Sequence, residues 1–330
     1  MNYGHIMEKF SSFYTISLNS SIDYSFSLEE IVYDDINRIK ESRVDAGGKG
    51  LNVARMLTGL DCRCTALAFI GGENGEKLKS LLREEKVNFR QVRIEGNVRN
   101  VFNFFSGEKV LRFNEPGPRI SSREKERLFG LVDSIRFKKG DVLSISGSLP
   151  PGLSKSTYRE IIENVRIKGV YTVFDADGEA LSEGIRALPD VVKPNLWELE
   201  RIAGRRIDSQ SALEKELENL MDKGISTVLL TLGKKGALLF SGNCCFYASV
   251  PQVKVKSTVG CGDAFLAGFL CAISLRKTEE ECLKWAAASG TAKACLEGTL
   301  MPGKNEIQKM LKRIKVKRVK KSGLSFLFRD

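Results

Sequence analysis

Hydrophobic residues are distributed along this chain in two alternating patterns. Short, continuous apolar runs bounded by turn residues lie at 13–18, 65–70, 142–146, 170–174, 190–192 and 227–231. Runs of that length, apolar at successive positions, are expected of strands buried on both faces. Between them the apolar positions shift to helical spacing. Val53, Met56, Leu57 and Leu60 share one face of 52–60, and Leu78, Leu81 and Leu82 share one face of 77–85. Segments 124–135, 156–165, 212–221 and 280–294 follow the same rule. Strand and helix in regular alternation predict an α/β fold, a mainly parallel sheet with helices on both faces. Two stretches, 28–45 and 98–114, break the alternation and predict hairpin strands of a small sheet beside the main one. There is no internal repeat.

Composition narrows the chemistry. With 330 residues, 42% of them hydrophobic, the chain can bury a real core and is not expected to be disordered. The longest nearly apolar stretch, 264–275, is too short to span a bilayer. The amino terminus has no basic patch followed by an apolar run, so no signal peptide is expected and a cytoplasmic location is. The one histidine, His5, lies in a segment with no catalytic look. Ser-His-Asp triads, histidine bases and His-rich metal sites are therefore set aside. Carboxylates, Lys, Arg, Ser, Cys and backbone dipoles remain. The eight cysteines form no CxxC pair. Cys62 and Cys64 are expected on one face of a strand as reduced thiols, without a metal or disulfide role.

Charge is uneven. Residues 304–321 hold nine Lys or Arg against Glu306 alone, a net +8 of the chain's +11. No aromatic residue interleaves with these charges before Phe326. The expected reading is a solvated terminal helix and strand, with neither nucleic acid nor membrane as a partner.

Glycine-centred motifs carry the candidate chemistry. Ala46-Gly47-Gly48-Lys49-Gly50-Leu51-Asn52 runs straight into a helix, where free N–H groups and the helix dipole suit an anion or a hydroxyl. It lacks the ending of a P-loop. In Thr258-Val259-Gly260-Cys261-Gly262-Asp263, two glycines flank a sharp turn before a helix of small residues. That turn can form an anion hole with Asp263 at its mouth, placed to take a proton from a hydroxyl; the plainer reading is an N-cap aspartate. Lys193-Pro194-Asn195 with Glu198 follows a strand, where open α/β sheets bind ligands. Asn195 and Glu198 can hold the water shell of Mg²⁺ or form a simple capping box. Thr231-Leu232-Gly233-Lys234-Lys235-Gly236 is either a phosphate cradle or only a hairpin.

Taken in order, these motifs resemble the ribokinase/PfkB carbohydrate kinases, in particular the branch of 1-phosphofructokinase and tagatose-6-phosphate kinase. The first signature continues through Val53-Ala54-Arg55, and further matches to that branch are Ser17 to Asp23, Asn114 to Pro118 and Ser146 to Gly152, so the resemblance spans about residues 12–303. Three positions depart from it: Ser20 stands for the usual proline, Val98 for a threonine, and Cys261 for alanine or serine.

The resemblance implies a single kinase domain over 1–330. Its fold would be a ribokinase-like α/β/α sandwich with a small β-sheet lid from 28–45 and 98–114, followed by a basic tail over 304–330. It implies ATP-dependent phosphorylation of a phosphohexose, fructose 1-phosphate first, with Asp263 as general base. Gly260, Cys261 and Gly262 would hold developing charge through their N–H groups. Asp23, Gly47, Gly48, Lys49, Asn52, Arg99 and Asn100 would bind the sugar phosphate, with Arg112 as a further guess. Lys193, Asn195, Thr231, Gly233, Gly236 and Gly262 would line ATP, and Asn195 and Glu198 would hold Mg²⁺ through water. A homodimer through the lid is implied too. The alternatives are tagatose-6-phosphate or 6-phosphofructokinase activity, and a catalytically silent sugar-phosphate sensor.

Overall fold

The computed structural model describes residues 12–107, 109–242, 244–320 and 323–328, so His5 lies outside the described residues. The strands are β1 (Phe13–Ser17), β2 (Ser21–Leu28), β3 (Ile39–Gly47), β4 (Cys64–Ile70), β5 (Phe89–Arg93), β6 (Arg99–Ser106) and β7 (Lys109–Asn114). They continue with β8 (Val142–Ser146), β9 (Tyr171–Asp175), β10 (Val191–Val192), β11 (Thr227–Thr231), β12 (Ala237–Ser241), β13 (Cys244–Ser249) and β14 (Lys315–Val319). The helices are α1 (Lys49–Gly59), α2 (Gly72–Glu84), α3 (Ser122–Asp133), α4 (Thr157–Arg166), α5 (Gly178–Ile185), α6 (Leu196–Ala203), α7 (Gln210–Asp222), α8 (Cys261–Ser274), α9 (Glu279–Ala294) and α10 (Lys304–Leu311).

Ten strands form the main sheet in the order β14-β13-β12-β11-β10-β9-β8-β1-β4-β5. From β11 to β5 every neighbouring pair is parallel. The β12–β14 edge is antiparallel. Successive strand residues feed opposite cores. Leu229 joins Leu51, Leu57, Phe269 and Ala286 on the side of α1, α8 and α9, while Val228 and Leu230 join Leu128, Ile161 and Leu217 on the side of α3, α4 and α7. That two-sided burial is the reason these strands read as unbroken apolar runs.

The second sheet has the order β3-β2-β6-β7. Residues 98–114 contain the expected hairpin, β6 antiparallel to β7. The expectation for 28–45 is corrected. The strands are 21–28 and 39–47, paired antiparallel, and 29–38 is a connection. Ser21, Asp23 and Ser25 break the apolar run that would have marked β2, yet all three are buried. The alternate residues Tyr24 and Phe26 stack on Phe102 and Phe104 across the strand pair.

Cys62 precedes β4 instead of sharing its face with Cys64. Its Sγ lies 3.9 Å from Ser274 Oγ at the end of α8. The basic tail forms α10 and β14, with Ile307 and Met310 buried and β14 paired to β13. Among the described residues no helix is long and apolar enough to cross a membrane.

Candidate active site

Parallel strands bring their carboxyl ends to one edge of the sheet, and the motifs converge there. β9 ends at Asp175, β10 leads into Lys193, and β11 ends at Thr231 beside Asn195. Helix α1 starts at the same edge after Gly48, whose φ of 110° suits glycine. A Cβ on Gly47 would fall 2.0 Å from Asp23 Oδ1, so that glycine is what lets β2 bring its carboxylate against the turn. Asn19 ties the remaining motifs together. Its amide donates to Pro116 O and to Ser148 Oγ, both at 3.1 Å.

Asp263 does not cap its helix. Gly260, at φ 75°, occupies the N-cap of α8, and the Asp263 carboxylate is buried within the first turn. Its Oδ2 accepts from Asn52 Nδ2 at 2.8 Å, a contact across 211 residues. Burial lifts Asp263 above the usual carboxylate range; Lys49, the Asn52 amide and Lys193 pull it back, and Asp175 pushes with burial. A buried carboxylate held by one oxygen keeps the other for a hydroxyl proton. The Cys261 thiol beside it is no nucleophile, because burial pushes it up to about 11.

Two ammonium groups whose charge acts on Asp263 are themselves paired to Asp175. Lys49 Nζ lies 3.2 Å from Asp175 Oδ1, and Lys193 Nζ 3.1 Å from Asp175 Oδ2. Burial pushes Asp175 up, but Lys193 and Lys49 outweigh it and hold the group below the usual range. Lys49 is kept charged against burial by Asp175, Asp263 and Glu198. The cluster fixes two positive charges at the carboxyl edge of the sheet, close to the Gly262 turn. A Cβ on Gly262 would lie 3.5 Å from Lys193 Nζ, so the turn is open toward that amine.

The small sheet contributes as well. In the β2–β6 register, Ser21 pairs with Arg99 and Asp23 with Val101, so Asp23 and Arg99 share a face. Ser21 Oγ donates to Asp23 Oδ1 at 2.6 Å. Burial raises the Asp23 carboxyl to about 6, against that hydrogen bond and the charges of Arg55 and Arg99. Arg99 Nη1 donates to Glu115 O at 2.9 Å, while its buried Nε–H has no partner among the described residues. Asn100 is not part of this group. The pleat turns it to the other face, where its Oδ1 accepts from Asn74 Nδ2 at 2.9 Å and its N–H binds Glu115. Arg112 reaches from β7 to Thr258 Oγ1 at 2.9 Å, touching the start of the Gly260 motif instead of joining Arg99.

Asn195 and Glu198 do form a capping box: Glu198 N–H donates to Asn195 Oδ1 at 2.9 Å and Asn195 N–H to Glu198 Oε2 at 2.8 Å. Glu198 Oε1 stays outside the cap. Burial, and next Asp175, raise the Glu198 carboxyl above its usual range. Gly233 opens a short 3₁₀ turn and Gly236 closes it, between β11 and β12. A cavity of about 420 Å³ lies there, lined in part by Asn195, Trp197, Thr231, Gly233 and Leu327.

Sequence reasoning missed Asp175, Arg55 and the buried Lys293. Asp175 had a signal, an acid at the carboxyl end of an apolar strand. Arg55 had one too, as the last residue of the first family signature, although no role was attached to it; Lys293 had none, since it sits in an ordinary helical pattern.

Phosphofructokinase-2 from Escherichia coli, solved in complex with substrates and products, superposes with a TM-score of 0.86 at 30% identity, covering 91% of this chain and 98% of that one. The architecture is that class: a sugar kinase with a large, mostly parallel sheet and a second, small sheet. The sequence model described as "pfkB family carbohydrate kinase" matches residues 16–304, and the chain belongs to that family. It is 33% identical over 307 residues to 1-phosphofructokinase of Bacillus subtilis, covering 93% of this chain and 99% of that protein. It is 29% identical over 305 residues to tagatose-6-phosphate kinase of Staphylococcus epidermidis, covering 92% and 98%.

Proposed function

We propose that the protein transfers the terminal phosphoryl group of ATP to a free hydroxyl of a phosphorylated hexose, with fructose 1-phosphate as the first acceptor and tagatose 6-phosphate or fructose 6-phosphate as the alternatives. Relatives at similar coverage carry names for both kinds of activity, which supports the phosphohexose class. The chain acts as one kinase domain, with the small sheet as its lid.

In this reading Asp263 Oδ1 takes the acceptor proton while Oδ2 stays on Asn52. The hydroxyl oxygen bonds to the γ-phosphorus as the bridge to the β-phosphate breaks, and ADP leaves. N–H groups of Gly260, Cys261 and Gly262 face the charge that develops, and Lys49 and Lys193 flank it. Asp23, Gly48 and Asn52 read sugar hydroxyls. Thr231, Gly233 and Asn195 line the nucleotide, with Gly236 shaping its turn. Mg²⁺, when bound, neutralises phosphate charge. The Asn195–Glu198 pair fits it through water, because the second oxygen of a buried carboxylate is left over from the cap.

The observation that carries the phosphosugar reading is Arg99, whose buried Nε–H, on the face shared with Asp23, has no partner among the described residues. A buried donor of this kind is costly unless an acceptor arrives, and a phosphate monoester supplies one. A coupled ADP-release assay over fructose 1-phosphate, fructose 6-phosphate, tagatose 6-phosphate and free fructose tests it. Turnover confined to phosphorylated sugars supports the proposal. A preference for the free sugar rejects it, and ATP consumption with none of them leaves the sensor reading.

A further inference from the structure

Arg55 is buried in the middle of α1, one turn beyond Asn52, and takes no part in the proposed chemistry. Its guanidinium is fully engaged. Nε and Nη2 bind the Glu85 carboxylate at 2.6 and 2.7 Å. Nη1 donates to Ala46 O at the end of β3 at 2.7 Å, to Asn52 Oδ1 at 3.2 Å and to Thr299 O at 3.4 Å. Asp45 lies 3.8 Å from Nη2 and accepts from Thr299 Oγ1. One side chain thus joins α1, the root of β3, the 299 loop and the rim of α2.

The contact with Asn52 has a chemical consequence. A primary amide has a donor end and an acceptor end of nearly the same shape, and its neighbours decide which way it points. A guanidinium can only donate. With Arg55 on one side, the Asn52 oxygen must face it, and the NH₂ must face Asp263. A reversed amide would set an oxygen against the carboxylate. We infer that Arg55 is a positioning residue for the base: its Nη1–H fixes the orientation of the Asn52 amide, and through it the Asp263 carboxylate.

This rests on Asp263 being the base. Around that carboxylate stand Lys49 from α1, Asp175 from the end of β9, Lys193 after β10, Cys261 on its own helix and Lys293 from α9. None of them holds the Asn52 amide in place of Arg55. An N–H given to the carboxylate favours its ionised form, so losing it moves the base toward higher pH.

The test is the pH profile of kcat at saturating phosphohexose, because the acid limb of kcat/KM also carries Asp23, whose carboxyl Arg55 helps to lower. Arg55→Lys keeps the charge but cannot span four acceptors, and Asn52→Ala removes the amide itself. Both should move the acid limb up by about one pH unit, and the double variant should move it no further than Asn52→Ala alone. Arg55→Met with Glu85→Leu removes the ion pair as a pair, avoids a stranded charge if the lysine variant does not fold, and should give the same shift. Glu85→Gln keeps the Asn52 contact and should leave the limb in place while lowering Tm. An unmoved limb in both Arg55 variants, or fully additive shifts with Asn52→Ala, overturns the inference and leaves Arg55 a structural tie. Asp263→Asn separates the two claims. Full activity there fails the base assignment itself, whereas loss of activity with an unmoved Arg55 limb fails only the positioning role.

Discussion

Asn195 and Glu198 hold each other across the first turn of α6, each accepting the other's backbone N–H. The cap and the proposed metal role use different oxygens of Glu198, so one substitution separates them. Glu198→Gln retains an acceptor for the Asn195 N–H and removes the negative charge. The Mg²⁺ concentration for half-maximal rate should rise about ten-fold, with the sugar KM changed less than two-fold. An unchanged magnesium titration would leave Glu198 a cap and nothing more.

Arg99 is the proposed reader of the substrate's phosphate. A phosphate monoester carries about −1.5 to −2 charges at neutral pH, and a charge-assisted hydrogen bond is worth roughly 1.5–3 kcal/mol. Arg99→Ala should therefore lower kcat/KM for the phosphohexose by about ten- to a hundred-fold. Against a slow free-sugar substrate the same change should matter little. Equal losses on both would remove Arg99 from phosphate recognition.

The Asp23 carboxyl, raised to about 6 chiefly by burial, sets a pH dependence for sugar binding. Above that value it is a carboxylate that accepts a sugar hydroxyl; below it the acceptor is lost. Sugar KM should rise as pH falls through 6, and Asp23→Asn should flatten that rise. Stability runs the other way. The folded value lies above the ordinary 3.8, so the stabilising contribution of protonated Asp23 is present below 3.8 and lost as pH rises through about 6. A KM independent of pH between 5 and 7 contradicts the assignment.

The small sheet leaves a groove lined by Tyr33, Ile36 and Phe113, with Tyr33 79% and Ile36 74% exposed. Apolar surface of this kind is proposed here as the contact with a second copy of the chain. Sedimentation should find a dimer for the wild type and monomer for Tyr33→Asp. A monomeric wild type contradicts it.

Sequence pattern carried the six central strands of the main sheet because they are buried on both faces; 142–146 and 227–231 show it as unbroken runs, whereas β5 and β13, more exposed and toward the edges, gave no such run and went unread. It misplaced the first strand of the small sheet because Ser21, Asp23 and Ser25 interrupt any apolar run there, and their burial is known only from the fold. Within the site, the glycine turns and Asp263 were legible as local motifs. Lys49 read as a local point charge, but its pairing with Asp175 crosses 126 positions, and only the fold reveals it. Asn100 was carried in by its neighbour Arg99, and the two-residue pleat period turns it away. Arg55 closed a recognisable signature, but its role stayed hidden because its partners come from four separate segments.

The central claim is that Asp263 removes the acceptor proton during phosphoryl transfer, and Asp263→Asn tests it most directly. The amide keeps the shape, and an acceptor for Asn52, while losing the basic oxygen. Steady-state kcat with the preferred phosphohexose should fall by about 10²–10⁴-fold, with ATP binding by equilibrium titration changed no more than a few fold. A variant that keeps near wild-type kcat would contradict the account.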